Sequence, residues 1–290
     1  MGLVHWWKWW RLRRVFGRYT DRTRKSMVLA NRNAMMTQSE AIQAEHLLAG
    51  LVEEGTGVGV ALLRYVEVPF GALRGMDWVH MPWPGQVERR LPLHASAKQA
   101  IVQAIDAAIY LRDNYVGTEH LVVALANQEP LKSQLELVGI CGERMSEQLQ
   151  ILRALWAGEE ARMAGRWSEA VAAYRRVLAF KPGDRSTSNN LAWVLSTCPD
   201  DGVRDGMEAV RLMEWVKSEV HGNVWQYLGT LGAAYAEAGD FKTAIAWGTR
   251  AHKLAQGRDE GRWEKWLAGF AESKPIREAA GADAKTGKAT

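Results

Sequence analysis

The sequence predicts an all-α protein built in two parts. Apolar residues recur at three- and four-residue spacing in segment after segment, which is the period of helices with one buried face. That helical pattern is duplicated twice over, once as a large unit and once as a short repeat. The 290 residues, 47% hydrophobic and 24% charged, have ordinary globular composition and suffice for two domains of usual size.

The chain opens with a basic, Trp-rich extension, residues 1–14, in which Trp6, Trp7, Trp9 and Trp10 alternate with Lys8, Arg11, Arg13 and Arg14. Amphipathic rings beside cations suit a membrane interface. The charges interrupt the continuous apolar stretch that a secretory signal needs, and Trp6 breaks the myristoylation pattern. Two readings stand: an extension packed on the neighbouring domain, or peripheral membrane contact through residues 1–14. No run approaches the ~20 apolar residues that cross a bilayer as a helix. The net charge is +4, and the cations crowd the start of the chain without spreading over later segments, so no nucleic-acid partner is expected. Two cysteines, Cys141 and Cys198, are too few for a disulfide framework, and a reducing, cytoplasmic location is expected.

The large duplication appears when Ala44-Glu45-His46-Leu47-Leu48 is laid over Thr118-Glu119-His120-Leu121-Val122. The flanks follow in order: Arg24 to Ala30 matches Ala97 to Gln103, and Tyr65 to Val68 matches Leu137 to Ile140. The repeats run over about 20–75 and 94–152, joined by a linker, 76–93, whose Met81-Pro82-Trp83-Pro84-Gly85 core breaks helix twice. Each repeat predicts a helix beginning near Thr20 or Ala95, a loop, a second helix opening at the Glu-His pair, and two shorter helices. Thr118 reads as an N-cap, with Glu119 in the first turn where the helix dipole favours a carboxylate.

Phe16-Gly17-Arg18-Tyr19-Thr20-Asp21-Arg22, Asn114-Tyr115-Val116-Gly117-Thr118-Glu119-His120-Leu121 and the duplicated layout resemble the Clp N-terminal repeat domain over about 15–152. The resemblance implies an all-helical pseudo-dimer that receives substrates or adaptors in front of a hexameric AAA+ unfoldase. It also implies that Glu45 and Glu119, helped by Thr20 and Thr118, receive the guanidinium of an arginine-phosphorylated substrate, a forked charge-assisted pair. The match is partial. Ala44 and His94 stand where the family motif has threonine, so each pocket is expected to lack one hydroxyl. The alternative is that both glutamates only stabilise helix N-termini.

The short repeat occupies 153–272. Ala157-Gly158, Ala161, Gly165-Arg166-Trp167, Ala170, Tyr174, Val177 and Pro182 fall at the small, large and turn positions of a ~34-residue helix pair, and Leu228, Leu231-Gly232, Tyr235, Gly239-Asp240-Phe241, Ala244 and Ala251 do so again. Asn189 to Gly222 reads as a stretched middle copy with its long connection at Cys198-Pro199-Asp200-Asp201, and Arg262 to Glu272 as an end helix. The pattern resembles tetratricopeptide (TPR) repeats. That implies a concave groove for a partner peptide, lined by Arg162, Asn189, Trp193 and Gln226; the alternatives are a spacer or a dimerisation surface, with Trp193 in the core. Residues 273–290 turn to Ala, Gly, Lys and Asp without apolar period and predict a disordered tail.

No phosphate-binding loop of Gly, four residues, then Gly-Lys-Ser/Thr appears, so no AAA+ module is expected within these residues. Gly55-Thr56-Gly57-Val58-Gly59 reads as a turn between helices. The seven histidines are scattered and neither cysteine has a partner at ligand spacing, so no metal, cofactor or catalytic residue is assigned. His46 and His120 are expected to pack and cap. The expected function is non-enzymatic protein binding: a recognition or adaptor component of Clp-type quality control whose partners are substrates, adaptors or the unfoldase, with a second protein on the repeats. The alternatives are a competitor that sequesters adaptors, a membrane-surface scaffold, and an enzyme with a non-local site.

Overall fold

A computed structural model describes residues 19–68, 90–137, 141–220 and 224–278. The extension 1–14, linker positions 76–89 and tail positions 279–290 lie outside the described residues. Thirteen α-helices and no strand beyond two isolated bridges are described. The chain divides into two compact units, Met1–Leu152 and Arg153–Thr290.

In the first unit, α1 (Asp21–Met36), α2 (Ala44–Glu54) and α3 (Val58–Tyr65) belong to the first repeat. α4 (Ala95–Tyr110), α5 (Thr118–Leu125) and α6 (Leu131–Leu137) belong to the second. A 3₁₀ turn, Gly142–Arg144, precedes α7 (Met145–Met163). Leu47, Leu48, Leu51, Leu62 and Leu63 of one half and Leu121, Val122, Leu125, Leu131 and Leu135 of the other share one core. These are the apolar positions at helical spacing. At its tightest point α2 meets α1 through Gly50: a β-carbon there would lie 2.2 Å from the Ser26 carbonyl oxygen and 2.6 Å from the Ala30 nitrogen. Only glycine lets the two backbones approach so closely.

The Gly-rich stretch 55–59 is the expected turn. Gly55 ends α2 in the left-handed conformation with φ of 80°. The buried Glu54 carboxylate accepts from Thr56 N at 3.1 Å, Thr56 Oγ1 at 2.8 Å and Gly57 N at 3.0 Å. Burial works against its charge, yet these donors hold its pKa below the usual value.

The halves interlock reciprocally. Thr20 N donates to Val116 O at 3.2 Å, so the segment leading into α1 pairs with the segment leading into α5. In the same way Ile42 N donates to Pro92 O and His94 N to Ile42 O, both at 2.8 Å, pairing the start of α4 with the start of α2. The sequence duplication is therefore a spatial one, with each half's first helix tied to the other half's second.

In the second unit the helices are α8 (Trp167–Phe180), α9 (Arg185–Thr197), α10 (Gly206–Glu219), α11 (Trp225–Glu237), α12 (Phe241–Ala255) and α13 (Glu260–Ala271). Each packs on the next, and α9 also packs on α11. Tyr174, fully buried, lies against Gly158 at the end of α7. Asp184, Asp205 and Asp240 each cap a following helix by accepting from a backbone N–H at 2.8–3.0 Å.

The tail departs from expectation at its start. Residues 274–278 are placed against the second unit: Lys274 N donates to Gly269 O at 2.8 Å, Ile276 packs near Phe270, and Arg277 Nη1 donates to Glu237 Oε2 at 2.7 Å. One apolar side chain and two charges secure this segment, too few to leave a periodic signal in sequence.

Candidate functional site

The reciprocal pairing creates two related positions in the first unit. At one, Thr20 caps α1 by accepting from Thr23 N at 3.2 Å, and the chain it pairs with leads to Thr118 and Glu119. At the other, His94 caps α4 through Nδ1, which accepts from Ser96 N at 3.3 Å, and the paired chain leads to Ala44 and Glu45. This corrects the expected distribution of hydroxyls. One position has both threonines, Thr20 and Thr118; the other has neither, and there Ser96 Oγ accepts from Ala44 N at 3.2 Å. Sequence reasoning had paired threonines within a half, whereas the fold pairs them across halves.

Thr118 is not the N-cap of α5; Gly117 is. The Thr118 hydroxyl instead accepts from Gly59 N at 3.0 Å, joining α5 to α3. Capping falls to the histidines. His120 Nδ1 accepts from Gly117 N at 2.9 Å and its Nε2 donates to Asp113 Oδ2 at 2.8 Å. His46 repeats the arrangement: Nδ1 accepts from Gln43 N at 3.0 Å, and Nε2 donates to Thr37 Oγ1 at 3.0 Å. A ring that accepts at one nitrogen and donates at the other is neutral. Burial accordingly lowers the His46 pKa, with Glu45 opposing. The two histidines are thus buried caps, as the sequence indicated.

Glu45 is half-buried in the first turn of α2. Glu119 is only 2% exposed, and its carboxylate folds over the α-carbon of Gly117, where a β-carbon would lie within 2.3–2.6 Å of its atoms. The helix N-terminus and its dipole favour both carboxylates. Of the two, Glu45 is the more open to a ligand.

The second unit carries a cleft of about 420 Å³. It is lined from α7, α9, α11 and α13, alternate helices of the array, which is how a stacked helical array makes a concave face. The four residues singled out in sequence, Arg162, Asn189, Trp193 and Gln226, all line it. So do residues that sequence reasoning missed, among them Trp225, Arg262, Trp263 and Trp266. The aromatics form a chain: Trp193 lies 5.4 Å from Trp266, Trp266 5.1 Å from Trp263, and Trp263 6.0 Å from Trp225, centroid to centroid. Arg262 lies over Trp266 at 5.8 Å.

At the α7 side of the cleft, Glu159 Oε1 accepts from Tyr174 OH at 2.7 Å and from Asn190 Nδ2 at 2.8 Å, while its Oε2 accepts from Arg162 Nε at 3.3 Å. Arg162 also donates to Glu278, whose other oxygen accepts from Trp193 Nε1 at 2.7 Å. Burial opposes the Arg162 charge, but Glu278 and Glu159 together hold its pKa above the ordinary value. Burial and Glu159 likewise raise the pKa of Tyr174. The Glu278 side chain is 7% exposed. No sequence pattern announced it, since a lone glutamate has no period.

Among the described residues no group of three or more His, Cys, Asp or Glu side chains is placed to hold a metal ion. No single described helix is long and apolar enough to cross a membrane.

Together, the duplicated halves, their interlocking and the histidine-capped helix starts define a two-repeat helical module. Residues 18–138 match the family model of the Clp repeat (R) N-terminal domain, and such a domain is present in the first unit. The chain is 26% identical over 152 residues to an ATP-dependent Clp protease ATP-binding subunit ClpA homolog of Porphyra purpurea, covering 52% of this chain and 18% of that protein. It is 31% identical over 114 residues to the chloroplastic chaperone protein ClpC3 of Oryza sativa subsp. japonica, covering 39% of this chain and 12% of the relative. An uncharacterised protein of Mycobacterium tuberculosis is 30% identical over 148 residues, covering 50% of this chain and 58% of its own length. The chain thus spans less than two thirds of each of these relatives.

Proposed function

We propose that this protein is a non-enzymatic adaptor of Clp-type protein quality control. The Clp repeat domain engages a substrate, a partner adaptor or the unfoldase, and the second unit, a short TPR-like array, holds another protein. Linking two binding modules in one chain raises the effective concentration of one cargo near the other, to the millimolar range for short connections. The observation that carries this reading is the Clp repeat match at 18–138 joined in one chain to a second helical unit with an aromatic-lined concave cleft. Large rigid aromatic groups and arginine are the residues that supply most energy at protein interfaces.

In the first unit the reading uses Glu45, with Glu119, Thr20 and Thr118 at the related position. A carboxylate at a helix start takes a guanidinium as a forked pair. The test is degradation of a fluorescent substrate by a purified Clp unfoldase–protease with the full chain added, wild type beside Glu45→Ala. Delivery speeds degradation, and Glu45→Ala reduces that gain. Slowed degradation identifies a competitor for adaptors instead, and an unchanged rate with no capture of any Clp component refutes the Clp link.

A further inference from the structure

We infer that the segment 274–278, which follows α13, is a built-in competitor for the cleft of the second unit, and that the cleft's ligand is a peptide presenting an acidic side chain. The inference rests on the reading that this cleft holds a partner, and it names both the partner's chemistry and its regulation.

Glu278 makes every kind of contact that a partner's acidic side chain would make. Its carboxylate takes Arg162 on one oxygen and the Trp193 indole N–H on the other, with Thr197 Oγ1 at 3.5 Å. Its backbone N–H donates to Thr197 O at 2.7 Å, so main chain as well as side chain is read. An arginine as covered as Arg162, whose side chain is 16% exposed, needs a compensating anion, because a largely desolvated charge left unpaired is costly. Glu159 supplies part of that compensation and is itself shared with Tyr174 and Asn190. Glu278 supplies the rest.

The occupant is lightly held compared with a helix. Beyond Glu278 its described attachments are the Lys274 N–Gly269 O bond at 2.8 Å, the Arg277–Glu237 ion pair, with Arg277 36% exposed, and the packing of Ile276. Glu237 is shared with Arg204, and solvent at Arg277 screens its pair with Glu237. The cleft continues past Arg162 and Trp193 along Trp266, Trp263 and Trp225, a surface that Glu278 does not line. Trp263 is 2% exposed, and among the described residues its buried Nε1 has no hydrogen-bond partner. A partner peptide with an acidic residue at the Glu278 position and an apolar neighbour would use the anion position and the aromatic wall together. The cis segment uses only the first, so such a peptide displaces it.

The experiment uses the full chain and a labelled peptide of its own residues 273–280, Ser-Lys-Pro-Ile-Arg-Glu-Ala-Ala, added in trans and followed by fluorescence anisotropy. A cis competitor at about 1 mM effective concentration, with an intrinsic dissociation constant of about 0.1 mM, weakens a trans ligand about tenfold. Glu278→Gln in the chain is therefore expected to tighten peptide binding about tenfold over wild type. Changing the peptide's own glutamate to glutamine, or adding Trp193→Phe to the Glu278→Gln chain, is expected to remove most of that gain. Trp193→Phe keeps an aromatic side chain but removes the indole N–H together with its five-membered ring, so 1-methyl-tryptophan at 193, which blocks the N–H and keeps the indole, is the matching control, and a far-UV circular dichroism spectrum matching wild type establishes the fold of each. Equal binding to wild type and Glu278→Gln overturns the built-in competition while leaving a peptide cleft. Equal binding of the Glu and Gln peptides, or binding of neither, overturns the acidic-ligand assignment. The degradation assay above reads the first unit and is unaffected by either failure.

Discussion

Replacing Gly50 by alanine tests the packing of the first unit where it is tightest. The added methyl would fall 2.2 Å from the Ser26 carbonyl oxygen and 2.6 Å from the Ala30 nitrogen. Both are backbone atoms of one helical turn of α1, so no rotamer change relieves the overlap. The helices must part by roughly 1 Å to restore normal contact, which opens the shared leucine core. Overpacking of this type costs about 1–3 kcal/mol, and the absence of a yielding side chain puts this site at the upper end. Alanine recovers about 0.8–1.0 kcal/mol of helix propensity. The net expectation is destabilisation by about 2 kcal/mol. Gly261 in α13 is the internal control, because nothing lies within 4 Å of a β-carbon there. Gly261→Ala should stabilise the second unit by up to about 0.8 kcal/mol. Urea unfolding by far-UV circular dichroism, with hydrogen exchange resolved over residues 21–54 and 241–271, measures both. Wild-type exchange in 21–54 for Gly50→Ala would refute the close-approach argument.

Two further outcomes follow from buried polar groups. The His46 pKa is lowered from 6.5, so the folded state resists a proton that the unfolded chain accepts. Its contribution is complete above about pH 6.5 and is lost as pH falls from there through the depressed folded value. His46→Gln should reduce stability at neutral pH and flatten that acid slope, which thermal melts between pH 7.5 and 5 will show; an unchanged slope excludes His46 as its source. In the second unit, Tyr174→Phe removes the 2.7 Å bond to the Glu159 carboxylate while Asn190 still serves the same oxygen. A loss of about 1.5 kcal/mol is expected by urea titration followed through tryptophan fluorescence, and an unshifted midpoint contradicts it.

Helices were legible because their signals are local. Leu47, Leu48 and Leu51 announce α2 by spacing, and the Gly-rich turn at 55–59 marks its end. Thr118 shows the limit of such reasoning. Threonine before a helix is a capping signal, yet a tertiary contact with Gly59 claims its hydroxyl and His120 caps from inside the helix. Arg162, Asn189, Trp193 and Gln226 could be placed on one side of the array because a helical repeat fixes which helices share a face, and all four line the cleft. Glu278 was hidden because its partners are 85 and 116 residues away and nothing near it repeats.

The crossed pairing at Tyr19–Val116 and Ile42–Leu93 has an evolutionary reading. Two copies of a single repeat, associating symmetrically, would make these same contacts between chains. The first unit is in this sense a dimer whose protomers have been fused. Each related position is composed of material from both copies, so neither copy owns a complete one. Fusion also releases the two positions from identity: one has two threonines and a glutamate closed over, while the other has His94 and Ala44 in their places, with Ser96 beside them, and a more accessible glutamate. A homodimer could not have made that division, because every substitution would have appeared in both places at once.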